Sequence, residues 1–96
     1  MSEVTVITLP ARFGFQHHVS FTESYEAFIA SAVSTSLQLN FSKVTFLDTS
    51  ALGMLTLLAK KSRASNASMN LEITGENEST GEMLKIANMG KHFRIK

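Results

Sequence analysis

Val44-Thr45-Phe46-Leu47-Asp48-Thr49-Ser50-Ala51-Leu52-Gly53-Met54 changes its hydrophobic period in the middle. Before Asp48, the residues Val44, Phe46 and Leu47 prolong an alternation in which Leu37, Leu39 and Phe41 are set against Gln38 and Asn40. That pattern predicts a central strand ending at the aspartate. From Ser50 to Ala59 almost every residue is apolar, with leucine and alanine prominent, which predicts a helix buried between a sheet and a neighbour. A strand that enters a helix through a short polar turn is the repeating unit of parallel α/β sheets.

The flanks carry the same alternation outward. Val4, Val6 and Leu9 alternate with Thr5 and Thr8 as far as Pro10, a first strand. Phe13 and Phe15 around Gly14 suggest a short second strand or hairpin arm within Ala11 to Val19, with His17-His18 in the following loop. Ser20 or Thr22 can cap a helix in which Tyr25, Phe28, Ile29, Ala32 and Val33 recur at three-and-four spacing to about Ser34.

Downstream, Lys60, Lys61 and Arg63 suit the C-terminal end of the second helix. Met69, Leu71 and Ile73 then alternate with polar residues up to Gly75. Ser79 or Thr80 opens a third helix bearing Met83, Leu84, Ile86 and Ala87, with Gly90 as its stop. His92 to Lys96 adds a last short strand or packs Phe93 and Ile95 on the core. The order β-β-α-β-α-β-α-β predicts a single α/β domain over residues 1–96, with a mostly parallel or mixed sheet of four to five strands and three helices.

Composition narrows the functions. Ninety-six residues hold one core, and 44% hydrophobic against 18% charged residues is a globular balance. Net charge is +1 with lysines and arginines dispersed along the chain, which argues against nucleic acid as a partner. Cysteine is absent, so disulfides, thiolate catalysis and thiolate zinc sites are excluded. The start Met1-Ser2-Glu3-Val4-Thr5 is neither basic nor apolar, and no run approaches the roughly 20 apolar residues of a membrane span. A soluble, unexported, cytoplasmic protein without membrane insertion is expected.

Function concentrates where the strand meets the helix, because backbone N–H groups and the helix dipole converge there. A hydroxyl at Thr49 or Ser50 would be exposed, and a phosphate on it would be tolerated by the helix N-terminus. Ser is among the best N-caps, so Ser50 is expected to cap the helix and leave Thr49 pointing outward beside Asp48. The reverse assignment stays open. A hydrolytic triad at Ser50 is disfavoured because the turn lacks the glycines of a nucleophile elbow. A receiver-type phosphoacceptor at Asp48 lacks acidic partners after the first strand, where Leu9-Pro10-Ala11 stands. His17-His18 has no third ligand spaced to form a metal site. No catalysis, metal or cofactor is expected.

The quoted stretch resembles the STAS family of anti-sigma-factor antagonists, whose signature is an apolar strand, Asp, two hydroxyl or small residues, and a Leu-Gly pair opening a helix. The element order and the late Asn88-Met89-Gly90-Lys91-His92-Phe93 are similar as well. The resemblance implies that Thr49 is the phosphoacceptor, with Ser50 as the alternative. It also implies that the partner is an anti-sigma factor that is itself a serine/threonine kinase, bound when the domain is unphosphorylated and released on phosphorylation. A serine phosphatase resets the switch. Asp48, Thr49, Ser50, Ala51, Leu52, Gly53 and Met54 are the expected partner surface. The family often has glycine at Ala51, whose methyl group would stiffen the helix start and add to that surface. The other implied role is a constitutive structural STAS subunit of a larger complex, such as a transporter assembly.

The apolar excess at Met54, Leu55, Leu57 and Leu58 leaves two readings, core alone or core plus an exposed patch.

Overall fold

In the computed structural model, residues 4–30, 36–66 and 68–95 are described. Strand β1 (Val4–Thr8), β2 (Arg12–Phe13), a 3-10 turn (Phe15–His17) and α1 (His18–Ala30) come first. β3 (Ser36–Asn40), β4 (Phe46–Leu47), α2 (Thr49–Ser65), β5 (Asn70–Thr74), α3 (Glu78–Ile86), a second 3-10 turn (Met89–Lys91) and β6 (Arg94–Ile95) follow. Every strand pair among them is parallel. β1, β3, β5 and β6 form a four-stranded sheet in that order, and β2 and β4 form a separate pair.

Register explains which face is which. Ile7, Leu39, Ile73 and Ile95 lie in one row, Thr5, Leu37 and Leu71 in the next, and all point inward under the helices. The opposite face carries Val4, Val6, Ser36, Gln38, Asn40, Asn70 and Thr74, in part or wholly exposed, with Glu72 as a buried exception. The first strand forms as expected, and Val4 and Val6 are its outward set. The hydrophobic sequence of β1 allows either parity, and the inward row is Thr5, Ile7 and Leu9.

The continuous strand expected from Leu37 to Asp48 is broken in two. Phe41 N–H donates to the Thr74 carbonyl, and Ser42 N–H donates to Asn40 Oδ1 at 2.8 Å, so the chain turns after Asn40 and rejoins the domain beside β2. Gly75 closes against this turn. Its φ is +74° and a Cβ would press on the Ser42 backbone nitrogen at 2.9 Å, which restricts the position to glycine.

Helix starts differ from the expected caps for identifiable reasons. α1 begins at His18, continuing from the 3-10 turn, so His17-His18 is not a loop. The Ser20 hydroxyl donates back to the His17 carbonyl within that helical start, and Ser20 does not cap. The segment expected to carry α1 from Ser31 to Ser34 lies outside the described residues. α3 starts one residue before Ser79, because Asn77 caps it in a reciprocal pair with Thr80. Its stop is Asn88, in the left-handed region at φ 60°, and Gly90 sits in the following turn.

The core joins Phe13, Phe21, Tyr25 and Phe28 to Leu55, Leu58 and the inward sheet rows. Phe21 meets both Phe13 and Tyr25 edge-on, with ring centroids 4.9 and 5.3 Å apart. α1 and α2 are also linked at the surface by Lys61 and Glu26, 3.4 Å apart, a hydrogen bond that raises the Lys61 pKa.

Candidate functional site: the Asp48 turn and the α1–α2 groove

Asp48 caps α2. Its backbone is extended, and its Oδ1 accepts the Ala51 N–H at 2.8 Å, satisfying one of the orphan donors of the helix's first turn. Ser50 is therefore not the cap, contrary to expectation. Both residue types cap well, and the position at which the backbone leaves its extended conformation decides between them. Thr49 and Ser50 occupy the first two helical positions, and both are exposed.

The second carboxylate oxygen reaches across the domain, accepting the Phe15 N–H at 3.4 Å. Gly14 lies directly beneath it, buried, and a Cβ there would overlap the carboxylate. Asp48 N–H donates to the Phe13 carbonyl, extending the parallel β2–β4 pair by one residue. One aspartate thus fixes the end of β4, the start of α2 and the entry to α1.

That geometry opens a groove of about 290 Å³ between the two helices. Phe15, His18, Thr22 and Tyr25 form one wall, and Ser50, Gly53, Met54 and Leu57 form the other. Phe15 and His18 stack at 5.6 Å on the rim. The Tyr25 hydroxyl is buried, and Lys61 Nζ lies over the Tyr25 ring, 5.7 Å from its centroid. Ser50 faces the groove, whereas Thr49 lies outside its lining. The structure thus splits the leucine-rich segment, since Met54, Leu55 and Leu58 are core and Leu57, 42% exposed, adds apolar surface to the groove.

Of the seven expected partner residues, Thr49, Ser50 and Gly53 are exposed and Asp48 and Leu52 are half-buried. Ala51 and Met54 are buried, so the Ala51 methyl belongs to the core and not to a contact surface. Gly53 stands bare, and a Cβ at this position would meet no atom within 4 Å. Sequence reasoning missed the α1 wall. The sequence signal nearest to it is Gly14 between two phenylalanines, which marks a close approach of the chain, here to the Asp48 carboxylate.

No group of three or more His, Asp or Glu side chains that could hold a metal ion gathers among the described residues. None of the described helices is long and apolar enough to cross a membrane.

Comparison with known proteins fits this architecture. The structure of the protein TM1081, determined by NMR, superimposes with a TM-score of 0.81 at 17% identity, covering 97% of this chain and 73% of that one. The Bacillus cell fate determinant SpoIIAA, in its phosphorylated form, gives a TM-score of 0.73 at 14% identity, covering 100% of this chain and 85% of that one. At such identities the likeness is one of fold. No curated protein matches. The family model of the STAS domain matches residues 2–96, and the chain belongs to the STAS domain family.

Proposed function

We propose that this domain is an anti-sigma-factor antagonist that works by partner switching. Unphosphorylated, it binds an anti-sigma factor that is also a serine/threonine kinase. Phosphorylation at Thr49 releases it, and a serine phosphatase restores it, all in the cytoplasm. The domain performs no phosphoryl transfer of its own. The observation that carries this reading is the pair of exposed hydroxyls on the first turn of a helix already capped by Asp48. Neither hydroxyl is needed as the cap, so modification leaves the helix start intact.

The choice of Thr49 over Ser50 rests on the family resemblance, since both hydroxyls are exposed and neither is the cap. Phosphate adds roughly −1.5 to −2 charges at pH 7, beside the Asp48 carboxylate. The helix N-terminus accommodates that charge, while a partner surface fitted to a neutral hydroxyl meets bulk and repulsion. The likeness to a structure described as phosphorylated SpoIIAA supports the reading.

Incubation with the candidate kinase and Mg-ATP, followed by phosphopeptide mapping, tests it. Phosphate on Thr49 that vanishes in Thr49→Ala is the expected result. Protein that binds its partner identically before and after modification would instead favour a constitutive structural subunit.

A further inference from the structure

Cations far apart in the sequence meet at the end of the domain remote from Asp48. A groove of about 370 Å³ takes Arg63 from the last turn of α2, Asn70 from the start of β5, Lys91 and His92 from the second 3-10 turn and its cap, and Arg94 from β6. Met69, Leu71 and Phe93 form its apolar floor. No carboxylate lines it among the described residues. Glu72 stands opposite Arg94 in the β5–β6 register. Arg63 stands 13 positions beyond Ser50 on α2, which places it about 20 Å away at 1.5 Å per residue.

A bland role accounts for only part of this arrangement. A cation in the last turn of a helix answers the dipole, whose C-terminal end carries about half a negative charge. Arg63 alone meets that need. Lys91 and Arg94 arrive from two other elements, and Glu72 faces Arg94 across the β5–β6 register. The His92 pKa is lowered, first by burial and then by Lys91, Arg63 and Lys60, so the imidazole is pressed toward its neutral form by its neighbours. A group in which cations outnumber acids is stabilised by whatever anion settles among them.

We propose that this groove binds a phosphate-bearing small molecule, its phosphate held by Arg63, Lys91 and Arg94. Two guanidinium forks match the several acceptor oxygens of a phosphate better than they match a single carboxylate. The volume exceeds that of one ion, which leaves room for an organic portion beside the phosphate. Asn70 supplies a neutral amide beside it. The site is independent of the Thr49 switch.

The test is an NMR titration of the full chain with sodium pyrophosphate and with glycerol 3-phosphate, at ionic strength held constant with sodium chloride. Saturable shifts centred on Asn70 and Gly90 to Arg94, with a rise in the His92 pKa, are expected for both probes. Arg63→Gln and Lys91→Gln should each weaken binding about tenfold. Lys43→Gln, the same charge change in the exposed turn after β3, should leave it unaltered. Shifts that chloride reproduces, that never saturate, or that centre on Thr49 and Ser50 would overturn the assignment. So would equal weakening by Lys43→Gln, or affinity for single-stranded oligonucleotides that grows with every added nucleotide.

Discussion

The carboxylate of Asp48 fills the space into which a side chain at Gly14 would grow. The two residues are 34 positions apart, yet the same carboxylate also holds the N–H groups of Phe15 and Ala51. Packing and capping are therefore one interaction at this turn, and the entry to α1 cannot shift without disturbing the start of α2.

Gly14→Ala should destabilise the domain by about 1–3 kcal/mol, the cost of overpacking against a carboxylate held in place by the Phe15 and Ala51 N–H groups. Urea denaturation measures it. Combined with Asp48→Ala, which vacates the space, the loss should fall short of the sum of the single losses, by the logic of a double-mutant cycle. Strict additivity would show that the two side chains do not compete.

Asp48→Ala removes the cap and should lower stability by about 0.5–2 kcal/mol. Asp48→Asn retains an acceptor for the Ala51 N–H and should cost less. Hydrogen exchange ought to report the loss in the first turn of α2 and at Phe15 together, since both donors share the side chain.

At the hydroxyl pair, Thr49→Glu should weaken binding to the proposed kinase partner tenfold or more, equivalent to at least about 1.4 kcal/mol. Both hydroxyls are exposed, so neither Thr49→Ala nor Ser50→Ala should unfold the protein. Calorimetric titration of each variant separates the two positions. If Thr49→Glu bound like the wild type while Ser50→Glu did not, the acceptor would be Ser50.

Gly53 lies inside α2 with open space around it, so Gly53→Ala is free of clashes. It should raise stability by about 0.5–1 kcal/mol through helix propensity alone. Weaker partner binding despite this gain would place Gly53 in the interface, and unchanged binding would remove it from the footprint.

His92 gives a pH dependence of known sign. Its folded-state pKa lies below the ordinary value of 6.5, so the unfolded chain binds more protons in the interval between the two. Its contribution is complete above 6.5 and is lost as pH falls through that interval. His92→Gln should flatten the stability profile there, as read from denaturation midpoints at matched salt.

The junction at Asp48 was legible because the hydrophobic period changes there, and β5 was legible because Leu71 and Ile73 alternate cleanly with polar residues. β1 was legible as a strand but its inward face was not, since Val-Thr-Val-Ile-Thr-Leu offers an apolar set at either parity, and only pairing with β3 selects one. The break between β3 and β4 depends on Thr74 and Gly75, far downstream, so no local pattern announces it. The cap was displaced from Ser50 to Asp48 because the two residue types satisfy the same donor equally well. Both grooves are tertiary, with walls drawn from helices and turns that the sequence does not place side by side.

The length of α2 has an electrical consequence. Thr49 and Arg63, near its two ends, are separated by about 20 Å along the axis, more than twice the screening length of about 8 Å at physiological ionic strength. A charge added at Thr49 is therefore almost invisible to Arg63 through solvent, and an anion near Arg63 is equally invisible to Thr49. The helix serves as insulation, and variants at its two ends should act additively in any assay performed at ordinary salt.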